Sequence, residues 1–115
     1  MVKRVVVGAH YGLRDWLIQR VTAVVMAAYA LLFALILIFS PPAHYGAWRA
    51  LFSSQAMKLA SFVFLVSVLL HAWVGMRDIL MDYVKPTGLR LGLHSIVLLA
   101  LVAYAGWGLQ ILWSV

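Results

Sequence analysis

The chain has 115 residues, of which 66% are hydrophobic and only 10% charged, and a mean hydropathy of +1.03. Soluble domains carry about 45–50% apolar and about 25% charged residues, so this composition excludes a soluble globule and makes the bilayer the solvent. The net charge of +6 is dispersed between apolar runs, and there is no cysteine, which excludes a continuous nucleic-acid footprint, a disulfide framework, a thiolate zinc site and iron–sulfur ligation by this chain.

The first segment, up to Gln19, carries Lys3, Arg4, Arg14 and Asp15, with Arg20 at the entry to the first long apolar run. A charged start before an apolar stretch resembles a secretory signal. The stretch here, Val21–Phe39, contains no Asp, Glu, Lys or Arg and exceeds the roughly 7–15 residues of a signal's apolar region, so it is expected to be a retained first helix over about residues 17–39. Ser40-Pro41-Pro42 then ends it, because proline lacks the amide hydrogen and constrains the residue before it. The following segment, Ala47 to Lys58, is expected to form a short interfacial helix anchored by Trp48 and Phe52.

The second uncharged run, Leu59–Met76, and the third, Leu91–Val115, are each long enough at about 1.5 Å per residue to cross a hydrocarbon core of about 30 Å. Expected helices cover about residues 58–83 and 89–114, joined by Lys85-Pro86-Thr87-Gly88. The fold class is all-α, one integral membrane domain over residues 1–115 with three transmembrane helices, since isolated spans in lipid must satisfy their own backbone groups. Lys3, Arg4, Arg14, Arg20, Arg77, Lys85 and Arg90 lie on one side of the spans, against Arg49 and Lys58 on the other. This bias places the N-terminus in the cytoplasm and the C-terminus outside.

His71 lies twelve residues after Leu59, deep in the second span, where an ionisable group is a functional candidate. It either donates one hydrogen bond to a neighbouring helix, or ligates haem, or relays protons. A neutral imidazole is a strong iron ligand. At about 100° per residue, Gly75 falls about 40° from His71, and Asp78 and Asp82 fall within about 20°, so they share one stripe. Gly75 leaves room for a flat macrocycle or for close helix packing. Tyr83 and Asp82, at the polar end of this helix, serve either as an interfacial anchor with solvated charges or as a site for the carbonyl of a lipid-soluble quinone. Arg20 is either a positive-inside anchor or a planar fork for an anion such as a haem propionate. His94 is expected to be a helix-contact residue, nearer the cytoplasm than His71; His10 and His44 fall in exposed segments. Trp16, Trp48, Trp107 and Trp113 are expected in the interfacial belt, and Trp73 toward lipid or a partner. No phosphate loop, nucleophile–base pair or HExxH motif is present. A proton path is disfavoured, because the outer half of the second span offers only Ser61 and Ser67.

The run His71-Ala-Trp-Val-Gly-Met-Arg-Asp-Ile-Leu-Met-Asp82-Tyr83-Val-Lys-Pro86, followed by Leu89-Arg90-Leu91, resembles the hydrophobic membrane anchor of bacterial succinate dehydrogenase, the succinate:ubiquinone oxidoreductase of complex II. Asp15-Trp-Leu-Ile-Gln-Arg20-Val-Thr-Ala is similar to that family's entry to the first helix. The resemblance implies a chain that is not catalytic alone, in a helical bundle completed by a second anchor subunit of cytochrome b type. It also implies a flavoprotein subunit with FAD and an iron–sulfur subunit with the clusters, passing electrons to ubiquinone in the tricarboxylic acid cycle and respiratory chain. It implies His71 as an axial ligand to the iron of haem b, Arg20 near the propionates, Gly75 against the haem, and Tyr83 and Asp82 at the quinone site. The implied location is the bacterial inner membrane. Arg14 stands where relatives can carry histidine, and Thr87-Gly88 replaces bulkier residues. A fumarate reductase anchor and a haem-free scaffold are the alternatives.

Overall fold

The computed structural model describes the backbone from Val2 to Val115 and side chains from Gly12 onward. It is helical throughout: α1 (Val2–Phe39), α2 (Tyr45–Ser53), α3 (Gln55–Tyr83) and α4 (Thr87–Trp113). Three stretches are long and apolar enough to cross a membrane: Gly12–Phe39, Gln55–Tyr83 and Thr87–Trp113, of 28, 29 and 27 residues. At about 1.5 Å per residue each is about 40 Å long, some 10 Å more than a hydrocarbon core of about 30 Å. The surplus turns carry the charged residues at the ends of the spans.

Helix ends follow from local chemistry. The Ser40 amide still donates to the Ile36 carbonyl at 2.9 Å, but Pro41 and Pro42 have no amide hydrogen to continue the ladder. His44 caps α2, its Nδ1 accepting from the Ala47 amide at 3.2 Å. Ser54, in an extended conformation, ends α2 and caps α3 through its hydroxyl, which accepts from the Met57 amide at 3.1 Å. Pro86 is the N-cap of α4, and Arg90 Nε donates back to the Val84 carbonyl at 3.1 Å, tying the α3–α4 connection to the first turn of α4.

Two expected boundaries move. The first helix begins at Val2 rather than near residue 17, because the charged stretch contains no proline and its glycines do not interrupt the ladder; hydropathy marks where lipid begins, not where the helix does. The interfacial helix, expected over Ala47–Lys58, is Tyr45–Ser53, and Lys58 belongs to α3, since the Ser54 cap starts a new helix. The expected positions of Lys3, Arg4 and His10 lie outside the described side chains.

The spans form a layer with α3 in the middle: α1 packs on one side, α4 on the other, and α2 lies against α3. Among the described residues, only Met57, Val74 and Leu80 are buried apolar side chains, and the buried polar ones are Thr22, Ser61 and Ser67. Small hydroxyl-bearing residues let helix backbones approach, and their hydrogen bonds hold spans together where lipid removes the hydrophobic drive. Ser61 is such a case, its Oγ 2.6 Å from the Tyr29 hydroxyl, while the Tyr29 ring stacks on Phe64 at 4.4 Å. On the other side of α3, Trp73 meets His94 edge to face at 5.9 Å. Trp73 thus makes a contact within the chain while its side chain stays partly exposed.

Candidate functional site between α1 and α3

His71 sits on the face of α3 that meets α1. Its Nδ1 lies 3.0 Å from Oγ1 of Thr22, a buried residue with 5% of its surface exposed. Nε2 makes no hydrogen bond among the described residues. Beside this contact a cleft of about 560 Å³ opens between the helices, lined by Gly12, Asp15, Trp16, Gln19 and Arg20 of α1 and by His71 and Asp78 of α3. Positions 12, 15, 16 and 19 are one helical stripe, and 71 and 78 another, so two regular helices suffice to build the cleft. A groove of about 580 Å³ at the opposite end is lined by Tyr45, Trp48, Arg49, Phe52 and the end of α4. It has no imidazole or acidic side chain, and the ionisable groups converge on the α1–α3 cleft instead.

Neighbouring side chains hold two of the charged groups of the cleft. Arg20 places its guanidinium 5.5 Å from the centroid of the Trp16 ring, a cation–π contact one turn back on α1. Asp15 and Arg77 form an ion pair that closes the charged end of the α1–α3 interface. Gln19 differs from these: its Oε1 is buried without a hydrogen-bond partner. An unpartnered buried amide costs about 1–3 kcal/mol, a penalty that a polar ligand in the cleft would relieve. The other end of that amide faces α3, where a Cβ built on Gly75 would lie 3.9 Å from Gln19 Nε2. That is ordinary van der Waals distance, so packing against α1 does not by itself demand glycine.

The expected stripe on α3 is partly realised. His71 and Asp78 line the cleft together with Arg20, whereas Asp82 and Tyr83 do not; both are exposed at the end of α3, with 80% of the Tyr83 surface accessible. His94 is engaged elsewhere, its Nδ1 2.9 Å from the Arg90 carbonyl and its ring against Trp73, as expected of a helix-contact residue. His44 is exposed, as expected, and serves as a cap. Among the described residues no three His, Asp or Glu side chains gather as a metal site. One imidazole whose Nε2 makes no hydrogen bond, a guanidinium and an unpaired amide around an open-sided cleft are groups that would suit a haem, the imidazole for its iron and the guanidinium and amide for its carboxylates. Thr22, Gln19 and the Asp15–Arg77 pair are the members that sequence reasoning passed over. Their signal was present: Thr22 and Tyr29 are the polar residues of an otherwise apolar first span, and Asp15 is the acid of the basic entry segment.

The family model for the succinate dehydrogenase/fumarate reductase transmembrane subunit matches residues 3–106, nearly the whole chain. The chain belongs to this family. It is also 42% identical, over 102 residues covering 89% of both chains, to the succinate dehydrogenase hydrophobic membrane anchor subunit of Coxiella burnetii. As a succinate dehydrogenase membrane anchor, the chain has its three apolar spans explained: they are a multi-pass attachment for an assembly whose other subunits it does not itself contain.

Proposed function

We propose that this anchor binds haem b through His71, jointly with a second membrane-anchor subunit of cytochrome b type, and contributes Tyr83 and Asp82 to the site where ubiquinone is reduced. The observation that carries the reading is His71 itself: an imidazole inside a span, fixed at one nitrogen by Thr22 and free at the other, on a cleft shared with Arg20. In this reading His71 is the iron ligand, Arg20 and the Gln19 amide face the propionates, and Gly75 leaves space on the His71 face of α3. Bound there, the haem supplies a one-electron redox centre. Any further ligand to the iron would come from the partner anchor, since His94 of this chain is engaged by Arg90 and Trp73 on the α4 side of α3.

Tyr83, exposed at the end of α3, presents a phenolic hydroxyl that can donate to a quinone carbonyl oxygen, with the Asp82 carboxylate beside it as a proton carrier. The site is completed by other subunits: a flavoprotein with FAD that oxidises succinate, and an iron–sulfur protein that delivers the electrons. The basic bias of the Asp15 end sets the N-terminus in the cytoplasm and the C-terminus in the periplasm of a bacterial inner membrane, so that end faces the soluble subunits. The chain then works in the tricarboxylic acid cycle and respiratory electron transfer, and turns over nothing alone.

The experiment is purification of the tagged chain from its host membrane in mild detergent. A flavoprotein, a cysteine-rich iron–sulfur protein and a second small membrane protein co-elute in equal amounts, with covalent or bound flavin and a b-type spectrum. Elution of the chain by itself, or with membrane proteins lacking flavin, would contradict the proposal.

A further inference from the structure

Thr22 Oγ1 has three polar neighbours: the Ile18 carbonyl at 2.6 Å, the Gln19 carbonyl at 3.2 Å and His71 Nδ1 at 3.0 Å. A hydroxyl has one proton and two lone pairs, and a carbonyl oxygen only accepts. An approach of 2.6 Å between hydroxyl and carbonyl oxygens requires the proton between them, so the Thr22 proton is committed to Ile18, as is common for threonine in a helix. The oxygen then has lone pairs alone to offer His71, and the hydrogen in that contact must come from the ring. We infer that Thr22 is a positioning residue for His71: it accepts the Nδ1 proton, holds the imidazole in the Nδ1–H tautomer and leaves the Nε2 lone pair as the ligating atom.

The last clause rests on the haem reading above; the tautomer does not. Burial of Thr22 keeps water from taking over its role, and the helical backbone that fixes the Ile18 and Gln19 carbonyls fixes the direction of the hydroxyl. Outer-shell hydrogen bonds of this kind set which ring nitrogen is available and raise its basicity, and their loss typically costs about 10–100-fold in metal affinity. Valine at this position has the shape of threonine without the acceptor, whereas serine keeps it.

The test has two arms. In the full-length chain reconstituted in lipid with ¹⁵N-labelled histidine, the His71 signals, assigned by their loss in His71→Gln, report a protonated Nδ1 and a bare Nε2; Thr22→Val mixes the tautomers and Thr22→Ser restores the first. In the purified complex, haem loss to an apoprotein acceptor speeds up about tenfold or more in Thr22→Val and returns toward the original rate in Thr22→Ser. A wild-type His71 protonated at Nε2, or a Thr22→Val variant with unchanged tautomer and haem retention, would overturn the inference. Failure of the haem reading is distinguishable, because a b-type band that survives His71→Ala removes that reading and leaves the tautomer result standing.

Discussion

Arg77 of α3 is ion-paired with Asp15 of α1, 62 positions away in sequence. With both side chains about one-quarter exposed, the pair bridges the same two helices that meet again where Thr22 contacts His71. Asp78, next in sequence to Arg77, faces the cleft, so one turn of α3 supplies both the clamp and part of the cleft wall.

Breaking this pair should loosen the α1–α3 contact without unfolding the spans. Arg77→Ala is expected to lower stability by about 1 kcal/mol, the upper end of the range for accessible ion pairs. Asp15→Arg combined with Arg77→Asp is expected to recover part of the loss. Thermal unfolding of the purified complex in detergent checks this; equal destabilisation by the single and the swapped variants would show that the pair is not the operative contact.

The Tyr29–Ser61 hydrogen bond, at 2.6 Å, is the counterpart deeper in the same interface. Hydrogen bonds between membrane helices are worth about 0.6 kcal/mol on average, up to about 1.7. Tyr29→Phe keeps the ring stacked on Phe64 and removes only the hydroxyl. A double-mutant cycle of Tyr29→Phe with Ser61→Ala, read by thermal unfolding, should give a coupling of about 0.6 kcal/mol or more. Strict additivity would assign the stabilisation to the aromatic stack alone.

How much of this was legible in the sequence differs by level. The spans were, because the apolar runs between charges are as long as the bilayer requires. The clustering of His71 with Asp78 was also legible, since seven positions on one helix return to one face. The helix start at Val2 was not, because the charged entry segment continues a helix already outside the apolar run. Nor were the cross-helix pairs Asp15–Arg77, Thr22–His71 and Tyr29–Ser61, as spans that are apolar on all sides carry no periodic stripe to say which face meets which neighbour. Trp73 shows the consequence: its direction on α3 was readable, but that α4 and His94 stand there was not.

Substitution of Tyr83 separates the proposed quinone role from assembly. Tyr83→Phe removes a hydroxyl from an exposed helix end and nothing that packs within the chain. The expected outcome is a drop of about tenfold in succinate–quinone activity, on the scale of one lost hydrogen bond, with unchanged succinate oxidation by a soluble artificial acceptor. Parallel loss of both activities would give Tyr83 a part in holding the assembly together instead.

The central claim is tested most directly by the reduced-minus-oxidised visible spectrum of the purified complex carrying His71→Ala, with the content of each chain measured on the same sample. The prediction is an intact set of subunits in which the b-type α-band is lost or shifted by a change of ligand. A band of unaltered position and full intensity per complex would contradict it and remove His71 as the haem ligand.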